Sequence, residues 1–154
     1  MKTLTYTLLL TIFISVNAFS QGGKHMQKRN EIMKKQIEFV ISELQLTEKE
    51  KKEFVPIFKD FNLKKEEFYS EKRKRMFSFH KNSLNYSDAD LTDLADFLVN
   101  TDLKLAELGK IYNEKFKKVL PPMKVILLHK AEHEFKRKLI KKMKHKGPGP
   151  EMHP

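Results

Sequence analysis

Apolar side chains recur along this chain at spacings of three and four, the period of a helix rather than the alternation of a half-buried strand. Met33, Ile37, Val40 and Leu44 mark a first helix over about residues 25–45. Phe54, Phe58, Phe61, Phe68, Met76 and Phe79 stripe a second, which runs to about His80. Lys65 and Lys72 fall on that same stripe and make it amphipathic. Leu91, Leu94, Leu98, Leu105, Leu108, Tyr112 and Phe116 predict a third helix from Asp88 to about Val119. Leu128, Ala131, Phe135, Leu139 and Met143 predict a fourth. No segment alternates as a strand does, so the expected fold is all-α with four helices.

Local signals agree with these boundaries. Thr47 and Glu50 are spaced for a capping box at the start of the second helix, and Ser87 with Asp90 offers another at the third. Asp88, Asp90, Asp93 and Asp96 crowd the third helix's first turns, where the helix dipole favours negative charge. Pro121-Pro122 stops that helix and suits the start of the next. Pro56 lies inside the second helix, where a missing backbone donor predicts a kink.

A different pattern opens the chain. Met1-Lys2 is followed by an apolar run from Leu4 to Val16, broken only by threonine, tyrosine and serine, and then by Val16-Asn17-Ala18. That is the layout of a secretory signal peptide, cleaved after Ala18 or Ser20, and too short for the ~20 residues a bilayer span needs. The expected organisation is a signal peptide over 1–20, one helical domain over 21–146 and a disordered Gly/Pro-rich tail over 147–154. The protein is expected to be periplasmic, with no stable membrane span.

Composition narrows the function. The chain has 154 residues, no cysteine and a formal net charge of +11, of which Lys2 contributes one. Cysteine chemistry and Cys-type zinc sites are excluded. Such basicity often means nucleic acid, but export opposes that, so the expected anionic partners are membrane surfaces, acidic proteins or unfolded chains. Lys72, Arg73, Lys74 and Arg75 interleave with aromatic residues and, with Phe77, form a candidate client-binding segment. Phe77 falls off the main stripe, so it is either exposed or packed on a neighbouring helix.

The Leu46-Thr47-x-x-Glu50 start resembles the Spy/CpxP-like family of exported helical proteins, whose signature is Leu-Thr-x-x-Gln at a helix start. It looks closest to a Bacteroidetes branch often labelled as sensors of extracytoplasmic-function sigma factors. That branch follows with an aromatic-x-Pro-x-aromatic segment, here Phe54-Val55-Pro56-Ile57-Phe58. It ends with a Leu-Ser-Pro-like helix start and a late Phe-x-x-x-Leu, in whose places stand Leu120-Pro121-Pro122 and Phe135 to Leu139. Here Glu50 replaces the motif glutamine, and the second motif lacks its hydroxyl and glutamine. The resemblance implies an elongated antiparallel hairpin that dimerises into a cradle with a basic, partly apolar concave face. It further implies a non-enzymatic envelope-stress role: binding unfolded or envelope polypeptides, feeding a signalling pathway, or both, with no cofactor.

His129-Lys130-Ala131-Glu132-His133 matches the H-x-x-E-H pattern, in which two histidines four apart on a helix reach one metal. A peptidase of that type also needs an acidic ligand well downstream, and only a basic helix end and tail follow. His129, Glu132 and His133, joined by His145, Met152 and His153, are kept as the alternative reading: a metal-responsive periplasmic sensor. No Ser/His/Asp order or phosphate loop stands out, so no catalytic residue is expected.

Overall fold

The structure is a computed structural model that describes residues 20–144, with side chains described from Met26 onward. The expected signal peptide (apart from Ser20), the tail over 147–154, and His145, Met152 and His153 lie outside the described residues. Four α-helices and one short 3₁₀ turn account for nearly all of the described chain, with no strand among the described residues. They are α1 (Ser20–Glu43), α2 (Glu48–Asn82), α3 (Asp88–Val119) and α4 (Pro122–Lys144), with the 3₁₀ turn at Ser83–Asn85. The fold is all-α, as the periodicity predicts. The first helix starts five residues earlier than the pattern indicates, at Ser20 rather than about residue 25.

The chain divides into two compact units between Gln36 and Ile37. In the first, the described part is helical and mostly exposed, with Ile32 and Met33 half-buried and Lys35 paired to Glu31 one turn away. The second unit holds the core.

Each boundary in that unit has a local cause. α1 is closed two residues past Glu43 by Gln45, whose φ of 47° is left-handed. The Leu46 N–H then donates to Ile41 O at 3.2 Å and the Gln45 N–H to Ser42 O at 3.2 Å, the bonds of a Schellman cap. Thr47 caps α2 through the full capping box with Glu50, and Ser87 caps α3 through the same box with Asp90. α2 continues unbroken through Pro56 to Asn82. α3 stops where Leu120, which precedes Pro121, turns extended at ψ 144°.

α2 and α3 form an antiparallel hairpin, since Asp60, Lys72 and Arg75 meet Tyr112, Asp102 and Asp93 in falling order. Burial along it is uneven. The dense core joins Val40, Leu44, Leu46, Phe54, Phe58, Phe61, Tyr112, Phe116, Leu120, Val125, Leu128 and Ala131. Its centre is aromatic: Phe54 lies 5.2 Å from Phe58 and 5.4 Å from Phe116, and Phe61 stacks on Tyr112 at 4.9 Å between ring centroids. Such offset and tilted pairs are the favoured aromatic geometry.

Towards the hairpin turn α2 and α3 alone face each other among the described residues, and Phe68, Met76, Phe79, Leu98 and Leu105 are half-buried. Leu94 and Thr101 alone are buried there among the described residues. Two helices cannot wrap one another's apolar stripe without a third. For the same reason Leu91, expected on the inner face, is 41% exposed; Met143, expected there too but in the last turn of α4, is 65% exposed.

Candidate interaction surface

The residues shared with the Leu-Thr-x-x-Gln pattern converge on one junction. Leu46 and Leu120 are buried in the core, whereas Pro56, inside α2, and Pro121, just before α4, are exposed. Glu50 Oε2 accepts the Thr47 N–H at 2.7 Å, and Thr47 Oγ1 accepts the Glu50 N–H at 3.3 Å. The same carboxylate accepts from Lys124 Nζ at 2.7 Å, and Lys124 also donates to Gln45 O at 3.0 Å. The Lys124 ammonium, then the Thr47 N–H, hold the Glu50 carboxyl below its usual range. The motif therefore fastens α4 to the α1–α2 corner.

A second network lies on the hairpin. The Tyr112 hydroxyl donates to Asp60 and accepts from Lys64 Nζ at 2.9 Å. The Tyr112 hydroxyl, then Lys64, lower the Asp60 carboxyl, and the same contacts raise the Lys64 ammonium. Its members are satisfied by one another.

The basic segment singled out in the sequence is more engaged than expected. Lys72 donates to Asp102 at 2.6 Å, Arg73 pairs with Glu66, and Lys74 lies 3.8 Å from Glu71. Arg75 donates to Asp93 at 3.1 Å while its guanidinium lies 4.0 Å from the Phe97 ring centroid. Lys72 and Arg75 thus join α2 to α3 instead of projecting free. Phe77 does not pack on a neighbouring helix; it is 71% exposed.

Phe77 belongs to an outer stripe of α2 that the sequence reading passed over. Lys59, Leu63, Ser70, Lys74, Phe77 and Lys81 recur at helical spacing on the face turned away from the core, and Leu84 follows in the 3₁₀ turn. Leu63 is 45% exposed and Leu84, in the 3₁₀ turn, 99%. Lys59 and Lys81 are exposed and their side chains have no polar partner among the described residues. The signal was legible: Phe77, Lys81 and Leu84 continue one 3.6-residue row.

A cleft of about 440 Å³ opens near the hairpin turn, lined by Arg75, Ser78, Asn85, Tyr86, Asp90, Asp93 and Leu94. Its strongest polar groups are committed: Arg75 to Asp93, Asp90 to the Ser87 cap, and the Tyr86 hydroxyl to Ser78 at 3.3 Å.

His129 and His133 are exposed on α4, and Glu132 accepts from Lys65 Nζ at 2.8 Å. Among the described residues no three His, Asp or Glu side chains stand close enough to hold a metal ion. The structure does not assemble the His129, Glu132 and His133 site.

No described helix is long and apolar enough to cross a membrane. No protein-family model, no curated protein and no solved structure matches this chain.

Proposed function

We propose that this is an exported, non-enzymatic envelope-stress protein of the Spy/CpxP-like type, which holds unfolded polypeptides and feeds a stress-signalling pathway. The observation that carries the reading is the outer stripe of α2. Leu63 and Phe77 stand exposed among Lys59, Lys74 and Lys81 on one face of the helix, and Leu84 is exposed just beyond it in the 3₁₀ turn, so apolar grip alternates with positive charge. Solvated lysines draw in anionic stretches of an unfolded chain at a distance, and exposed aliphatic and aromatic groups hold its apolar stretches on contact.

The thinly packed turn half of the hairpin fits the same role, because a two-helix layer leaves much of its apolar surface outward. Dimerisation into a cradle, the signalling partner and the periplasmic setting belong to this proposal through the resemblance at Leu46, Thr47 and Glu50. The test is suppression of aggregation of a denatured acidic client without ATP. Purified protein should slow aggregation at equimolar ratio and low salt, and a Phe77→Ser/Leu84→Ser variant should lose most of that effect. No slowing by the wild-type protein refutes the holdase reading.

A further inference from the structure

The last turns of α4 carry Lys136, Arg137, Lys138, Lys141, Lys142 and Lys144 with no carboxylate among them. All six are exposed. Lys138 lies over the Phe39 ring, 4.2 Å from Nζ to centroid. The side chains of the other five make no ion pair or hydrogen bond among the described residues. This sets them apart from Lys72, Arg73, Lys74 and Arg75, each of which has a carboxylate nearby. Among the described residues one basic run is neutralised internally and the other is not.

The unneutralised run is also two-sided. At 100° per residue Arg137, Lys138, Lys141, Lys142 and Lys144 fall in one arc, and Phe135, Leu139, Ile140 and Met143 in the other, with Lys136 among the latter. Phe135 and Leu139 are half-buried, but Ile140 and Met143 remain 45% and 65% exposed. A basic arc beside exposed aliphatic side chains is the make-up of a helix that lies in a membrane interface.

We infer that the carboxyl-terminal end of α4 docks on the surface of an anionic lipid bilayer. Five of its six bases are lysines. Flexible ammonium point charges suit the diffuse field of many headgroups, whereas a defined carboxylate site on a protein favours the planar arginine fork. With no described helix able to cross a bilayer, the contact is peripheral. It does not depend on client binding, which uses the outer stripe of α2.

The test is co-sedimentation of the full chain with vesicles of phosphatidylcholine alone or mixed with phosphatidylglycerol. The comparison variant is Arg137→Gln/Lys141→Gln/Lys144→Gln, whose side chains hold nothing else in place, and circular dichroism checks its helicity. Wild-type protein should bind the anionic vesicles, and the variant should bind them about a hundredfold more weakly. Raising salt should erase most of that difference, because the exposed charges are screened. Any uptake caused by the apolar residues 4–16 is common to both proteins and insensitive to the substitutions. Equal binding of the two proteins to anionic vesicles, or equal binding of the wild type to both vesicle types, overturns the inference. So does polyglutamate that binds the wild type more tightly than anionic vesicles and loses that preference in the variant, which would assign the surface to an acidic polypeptide.

Discussion

Lys124 Nζ stands 2.7 Å from Glu50 Oε2, and so ties the first turn of α4 to the first turn of α2. The pair depends on a carboxylate at position 50. A neutral amide keeps the capping bond to the Thr47 N–H but gives Lys124 no charge partner. Because the folded carboxyl is held below its ordinary value, its contribution is complete above that value and disappears as pH falls through the folded one. Glu50→Gln should therefore lower the thermal midpoint at pH 7, and the two proteins should converge well below pH ~4. Melting curves across that range check it; a gap unchanged at low pH would show that the charge pair is not the cause.

Gln45 sits at φ 47° to close the Schellman cap, a conformation that costs an L side chain and not glycine. Its backbone N–H and carbonyl make the cap bond and the Lys124 bond, and both survive loss of the side chain. Gln45→Gly should raise the unfolding free energy by roughly 0.5–1 kcal/mol, the left-handed penalty less the entropy that glycine adds to the unfolded chain. Urea unfolding measures this directly.

The helices, both capping boxes and the aromatic stripe of α2 were legible in the sequence because each rests on local spacing. Thr47 with Glu50, Ser87 with Asp90, and Phe54, Phe58 and Phe61 all act within one or two turns. What the spacing does not reveal is the partner helix. Lys72 and Arg75 read as free bases because their acids, Asp102 and Asp93, lie 30 and 18 residues away in the chain. Leu91 and Met143 read as core because periodicity tells which face a residue shares and not whether another helix covers it.

Phe58 and Phe77 test that distinction. Phe58 is fully buried among Phe54, Phe116 and the α4 residues of the core. Phe58→Ala should cost about 3–5 kcal/mol, through lost transfer energy and the cavity left behind. Phe77→Ala, on the exposed face, should change stability by no more than about 0.5 kcal/mol. Chemical denaturation of both variants settles the matter, and a large loss at Phe77 would mean that it packs against something.

The final prediction separates the two basic sets on α2. Lys72 and Arg75 bind acids on α3, whereas Lys59 and Lys81 project from the outer stripe without a polar partner among the described residues. Lys72→Ala/Arg75→Ala should loosen the start of α3, seen as faster amide exchange around Asp93 to Asp102, because two cross-helix ties are lost where packing is thinnest. Lys59→Gln/Lys81→Gln should leave exchange unchanged and instead weaken the slowing of client aggregation, most strongly at low salt, since exposed charges act over only ~8 Å at physiological ionic strength. If the outer lysines prove neutral and loss of Lys72 and Arg75 impairs client holding with the hairpin intact, the outer stripe is not the client surface. The holding surface would then lie along the α2–α3 seam.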